Sequence, residues 1–254
     1  MTEAWPNSVT IGTFVADRDD PDDFRLTTKI EGWGSPARRL TSTARTGANG
    51  SYLLGRYWGD RTIVHTGMVE CATAVAAADV AGSLEAMAPG VDLDYVVNSD
   101  AAGPLMCRTQ VAVGAEPDWI DASSFTYTLT LIAPDPLKRS TTATTVTVGA
   151  GATVSHMAAG KLPAEIEVTL TSAGTVDLTI AGLRLRTASL PSGAVLTSGP
   201  GFTRPKRTIR SSTGANLFGS IVQPMQWPAV VPGVNSIHQA GTAGLSIRYF
   251  PTYA

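Results

Sequence analysis

Trp227-Pro228, then Pro232-Gly233-Val234-Asn235-Ser236-Ile237, then the alternating run Leu245-Ser246-Ile247-Arg248-Tyr249-Phe250 decide how this chain is read. Pro232 presets φ at the first central position of a turn, and Gly233 supplies the positive φ that a type II turn requires at the second. The following strand is thereby aimed back into a sheet, with Trp227 expected to cover the end of the sandwich. Leu245, Ile247 and Tyr249 alternate with Ser246 and Arg248, the period of a strand with one apolar face. The stretch holds no nucleophile, metal-ligand cluster or phosphate loop, which points to a structural or binding part rather than an enzyme.

The rest of the composition agrees. The 254 residues include 25 glycines and 16 prolines, above the usual share, and threonine and valine are abundant. That is the make-up of many short strands joined by tight turns, because β-branched side chains suit pleated surfaces and glycine suits positive φ. The formal net charge is only −2, but its distribution is uneven. Residues 1–137 carry 18 Asp and Glu against 9 Lys and Arg, whereas residues 138–254 carry 3 against 10. Such sorting predicts two domains with different neighbours, steered by complementary fields. Cys71 and Cys107 lack a CxxC spacing and read as buried thiols. The first residues lack the basic and apolar regions of a signal peptide, and no apolar run reaches the ~18 residues of a membrane span, so assembly in a reducing cytoplasm without membrane insertion is expected.

Along the chain, residues 8–15 and 24–31 read as strands around the aspartate-rich linker Asp17–Asp23, which lacks the glycine and terminal glutamate of a calcium loop. Residues 35–49 read as a long exposed loop bearing Arg38, Arg39 and Arg45. Two runs, 52–57 and 61–71, read as a hairpin about Gly59-Asp60. One helix is expected from a cap at Asp79 to Pro89-Gly90, extendable forward through the alanines of 72–78, with Val80, Leu84 and Met87 on one face. Strands resume at 93–97, 105–113 and 125–132, the last alternating Phe125, Tyr127, Leu129 and Leu131 against threonines. Pro134-Asp135-Pro136 ends that ladder and places a domain boundary, dividing the chain into 1–137 and 138–254. Beyond it, strands at about 144–148, 164–170, 175–180, 183–187 and 193–197 have the spacing of a β-sandwich.

No catalytic constellation emerges, and neither a cofactor nor a metal is expected. His65 reads as a packed strand residue, and His156 and His238 as exposed loop or strand-end residues. Asp118 and Asp121 flank Trp119, an arrangement common in loops, and Glu165 and Glu167 share a solvent face. Arg204, Lys206, Arg207 and Arg210 form a basic hairpin or loop, for which a protein interface is favoured over nucleic acid in the absence of a recognition helix.

Two signatures then combine. Phe125-Thr-Tyr-Thr-Leu-Thr-Leu-Ile-Ala-Pro-Asp135-Pro136 at mid-chain, followed by Trp227 and Pro232-Gly233-Val-Asn235, resembles the distal tail proteins of long, non-contractile-tailed bacteriophages. In that family an Asp-Pro pair closes the first domain, and a Trp and a Pro-Gly-x-Asn turn precede the last strand of the second. Arg61-Thr-Ile-Val-His-Thr-Gly67 and the strand opened by Pro163 fall in the matching order. Ala158-Ala159-Gly160 departs from the family's Asn-x-Gly, and the basic segment around Arg207 has no counterpart. The resemblance implies a mainly β chain: a tail-tube-like, ring-forming domain with one packed helix, then a galectin-like β-sandwich. It implies a structural virion protein of the tail tip, a minor tail protein forming a homo-hexameric ring. Its partners would be the tail tube protein, the tape measure protein, the tail hub or tail-associated protein and receptor-binding fibres, with DNA passing only as cargo. The alternative is a lectin-like module that binds host-surface carbohydrate.

Overall fold

A computed structural model of the protein describes residues 6–17, 23–44, 51–99, 103–198, 207–222 and 227–254. The chain divides into two compact units, Met1–Lys138 and Arg139–Tyr253.

The first unit contains β1 (Ser8–Ile11), β2 (Phe14–Asp17), β3 (Asp23–Glu31), β4 (Arg38–Ala44), β5 (Ser51–Trp58), β6 (Arg61–Cys71), α1 (Ala74–Glu85), β7 (Asp92–Ser99), β8 (Gly103–Val113), β9 (Asp118–Trp119) and β10 (Ser124–Ala133). Its main sheet runs in the order β2-β1-β7-β8-β10-β6-β3, with β9 added on β10, while β4 and β5 pair separately. The alternation of β10 does what its period predicts, burying Phe125, Tyr127, Leu129 and Leu131. Strand β6 buries every second residue from Arg61 to Cys71, so Ile63, His65 and Val69 join that core. Helix α1 covers the same apolar face with Ala77, Val80, Ala81 and Leu84, and Met87 follows them into the core just past the helix end.

Four local expectations are corrected. The run 8–15 is a hairpin rather than one strand, because Gly12 takes φ +59° and folds Phe14 back onto Ile11. The helix is capped by Thr73, whose hydroxyl accepts from Ala76 N at 3.2 Å, and Asp79 lies exposed further along it. The alanines of 74–78 are good helix formers and extend the helix forward, as their composition allows. Gly59-Asp60 marks a change of sheet, not a hairpin: β5 pairs with β4, and β6 pairs with β10 and β3. Residues 38–44 are a strand rather than loop, because ladder hydrogen bonds to β5 substitute for apolar anchors.

The second unit contains β11 (Lys138–Ser140, beginning at the boundary), β12 (Thr144–Val148), β13 (Thr153–Ala158), β14 (Ile166–Leu170), β15 (Gly174–Ile180), β16 (Leu183–Leu190), β17 (Val195–Thr197), β18 (Thr208–Arg210), β19 (Gly233–Gln239), β20 (Leu245–Tyr249) and β21 (Thr252–Tyr253). Two antiparallel sheets, β12-β20-β14-β17-β18 and β13-β19-β15-β16, form the sandwich. Val146, Ile166, Val168, Leu196, Ile209 and Ile247 from the first sheet meet Val176, Leu178, Ile180, Leu185 and Ile237 from the second in one core. Strands β13 and β18 escaped the sequence reading. In β13 the large apolar residue Met157 points outward, 69 % exposed, which hides the period.

Candidate functional site

The polar groups of greatest structural consequence in the first unit are inside it. His65 is fully buried, with Nδ1 at 3.0 Å from the Tyr95 hydroxyl and Nε2 at 3.1 Å from that of Tyr127. A neutral imidazole offers one donor and one acceptor, so one tyrosine donates and the other accepts. Burial pushes His65 down to about 4 and raises both tyrosines, so the network holds neutral across the physiological range. Gly67 stands directly across from Tyr127 on β10. A Cβ there would lie 2.5 Å from Tyr127 Cζ, so the glycine leaves the space the ring occupies.

Arg61, at the start of β6, is 2 % exposed and gathers backbone carbonyls from two distant segments. Its Nη1 donates to the carbonyls of Gly32 (2.8 Å), Trp33 (2.7 Å) and Gly34, and its Nε donates to Pro136 O at 3.0 Å. Lys138 Nζ donates to the same Trp33 carbonyl at 3.0 Å and stands 5.2 Å from the centre of the Trp33 ring. Desolvation lowers the Arg61 pKa from its usual value. Asp135 makes its own turn, accepting Leu137 N–H at 3.2 Å. The role of Arg61 was missed as a packing feature, although its parity with Ile63, His65 and Gly67 marks it as inward-facing.

In the second unit the Pro232-Gly233 turn has Gly233 at φ +92°. Asn235 is buried beneath it: its Oδ1 accepts Val231 N–H at 3.0 Å, and its Nδ2 donates to Val231 O at 2.7 Å and Gly233 O at 3.0 Å. Trp227 lies in the sandwich core, 7 % exposed, and its indole N–H finds no partner among the described residues.

The cationic candidates do not form one described patch. Arg38 and Arg39 lie on β4 opposite Trp58 and Tyr57, with only their backbone described, and Arg45, Arg204 and Lys206 lie outside the described residues. Arg207 Nε donates to Ser198 O at 3.4 Å, and Arg210, on β18, donates to Gly214 O at 3.0 Å, so both brace their own loops.

His156 is corrected from an exposed loop or strand-end residue to a half-buried one within β13, whereas His238 stands exposed near the end of β19, as expected. His156 on β13 bonds Tyr249 Oη at 2.7 Å, and exposed His238 on β19 meets Thr153 Oγ1 at 2.8 Å. Asp121 caps Ser123 and Ser124, and the Ser123 backbone bond leads in lowering its pKa. Glu165 pairs with Arg139 at 3.8 Å and Glu167 with Arg248 at 3.6 Å. Among the described residues no three His, Cys, Asp or Glu side chains converge as metal ligands.

No protein-family model matches the chain, and a search of curated proteins finds no match. Among solved structures, the chain is similar to the Dit (gp 19.1) protein of phage SPP1, described as a paradigm of the hub adsorption apparatus in phages that infect Gram-positive bacteria. That likeness has a TM-score of 0.69 at 12 % identity, over 97 % of this chain and 99 % of the other. The phage P2 baseplate in its activated conformation matches with calcium and with strontium, each at TM-score 0.49 and 9 % identity over 95 % of this chain and 97 % of that one. The chain therefore has the mainly β fold of a phage hub protein, including a galectin-like sandwich.

Proposed function

We propose that this chain is a distal tail protein of a long, non-contractile-tailed phage, a structural virion component that forms a hexameric ring at the tail tip and joins the tube to hub and host-recognition proteins. The observation that carries this reading is the likeness to SPP1 Dit over 97 % of this chain and 99 % of that one, which spans both units in order. Residues 1–137 would form the ring and residues 138–254 an attachment platform, with the tube, tape measure and hub proteins as neighbours. The separate β4–β5 sheet supports a role in assembly, because two strands alone are marginal in water and gain stability by packing on something further. A ring also needs a heterologous contact that closes, for which a projecting hairpin is suited.

The excess of 18 acidic over 9 basic residues in 1–137 suits the lining of a channel through which DNA slides without sticking. The lectin-like alternative has less support. The outward residues of the β13-β19-β15-β16 sheet include His238, Arg184, Met157 and Val234, with no Trp, Tyr or Phe to stack on a sugar. The test is imaging of the native tail together with the mass of the purified protein. Six copies around an acidic bore are expected; a particle without six-fold symmetry, or a bore lined mainly by Lys and Arg, overturns the reading.

A further inference from the structure

We propose that Arg61 couples two parts of the first unit, so that the foot of the β4–β5 hairpin and the segment leaving β10 order and loosen together. Strand β6 pairs with β10 as far as Arg61 itself, opposite Ala133, and with β3 from Val64 onward, so its first residue is anchored through β10. From that anchor one guanidinium holds Gly32, Trp33 and Gly34, which lead from β3 towards β4, and Pro136, which leads out of β10. The two held segments are also tied directly, since Lys138 Nζ bonds Trp33 O at 3.0 Å. Gly32 sits at φ +78°, and a Cβ there would collide with the Thr62 carbonyl, so the chain entering the hairpin is pressed against β6 where Arg61 emerges. The hairpin foot is closed nearby by Gly59 N–H on Ala37 O at 2.8 Å.

The coupling follows from the chemistry of one buried cation. If either segment lifts away, the buried guanidinium loses charge-assisted bonds that are costly to forgo, so its hold on the other segment must be remade. The effect is reciprocal: whatever seats the hairpin firms the exit, and whatever pulls on the exit loosens the hairpin foot. In the ring proposed above, which this consequence rests on, contact at the hairpin would be felt at residues 134–138.

Amide hydrogen exchange on the full chain tests the coupling, read at Gly59 and Leu137, with amides of β14 as the control. Arg61→Gln is expected to speed exchange at Gly59 and Leu137 together by about tenfold and to leave β14 unchanged. Lys138→Ala removes the direct tie between the two segments and leaves Arg61 in place, and it is expected to speed both amides by less than Arg61→Gln does. Arg61→Lys, which keeps the charge but not the fork, gives an intermediate effect and serves, with Lys138→Ala, if the glutamine variant does not fold. Gly59 and Leu137 responding separately, or neither responding, overturns the proposal. A native particle without six-fold symmetry whose two amides still move together removes the ring and leaves the coupling standing.

Discussion

Acid should weaken the first unit through one residue, His65. Its folded pKa lies near 4, against about 6.5 for an unfolded-chain histidine, and burial is the cause. Between those values the unfolded chain takes up a proton that the folded state refuses, so stability falls as pH falls. At about 1.36 kcal/mol per pH unit the full loss approaches about 3 kcal/mol at pH 4, of which about 2 kcal/mol is already lost at pH 5. Above pH 7 the contribution is complete and flat. Other groups titrate over the same range, so the measurement is a difference. Denaturant unfolding of the parent and of His65→Gln is compared at pH 7.5, 6 and 5. Glutamine keeps a donor and an acceptor for Tyr95 and Tyr127 but cannot take the proton.

Four of the five tryptophans lie in residues 1–138, so a Trp227→Phe background makes the fluorescence report on the first unit alone. The parent's advantage or deficit relative to His65→Gln should shift against the parent by about 2 kcal/mol between pH 7.5 and pH 5. A difference that stays constant within about 0.5 kcal/mol refutes the reasoning, because that is the scatter expected of independent effects.

Gly67→Ala should cost the first unit about 3 kcal/mol, the upper end for overpacking, since the new methyl displaces the Tyr127 ring and its bond to His65; thermal unfolding checks it. Asn235→Ala should lower second-unit stability by about 3 kcal/mol by stranding the Val231 and Gly233 backbone groups beneath the turn, measured as a drop in the denaturant midpoint. Gly233→Val should cost about 1 to 3 kcal/mol from the φ of +92°, and an unchanged melting transition would contradict the turn geometry. Ala181 and Gly182, at φ +49° and +79°, join β15 to β16, so Ala181→Asn should raise the second unit's melting temperature by a stabilisation of about 0.5 to 1 kcal/mol.

What the sequence displayed clearly was whatever depends on near neighbours. The alternation of 125–132, the limits of β12 at 144–148 and the positive φ of Gly233 need only a few adjacent residues to be read. Partner choice needs distant ones. Nothing near Gly59-Asp60 tells that β6 pairs with a strand more than fifty residues later, nor that the polar run 38–44 obtains its order from β5. The polar interior was half legible: His65 reads as packed from its strand context, but Tyr95 and Tyr127 reach it from two other strands. Arg61 was legible by parity alone, because it bonds its four partners through their backbone carbonyls, which no side chain announces.

The positions of β19 and β20 carry a consequence for synthesis. Strand β20 lies between β12 and β14, and β19 lies between β13 and β15, so each sheet of the sandwich is completed from inside by residues 233–249. Strands β12 to β18 therefore emerge from the ribosome lacking the inner strand of either sheet, with apolar faces that cannot yet close. The seven strands of the first unit's main path, β2-β1-β7-β8-β10-β6-β3, are all made by residue 133, so that sheet can fold while translation continues. The second must wait until residue 249 is free, and its long-range pairings make that last step slow. During the wait its unpaired strand edges are open to other nascent chains, so the rate at which the final stretch is translated bears directly on yield.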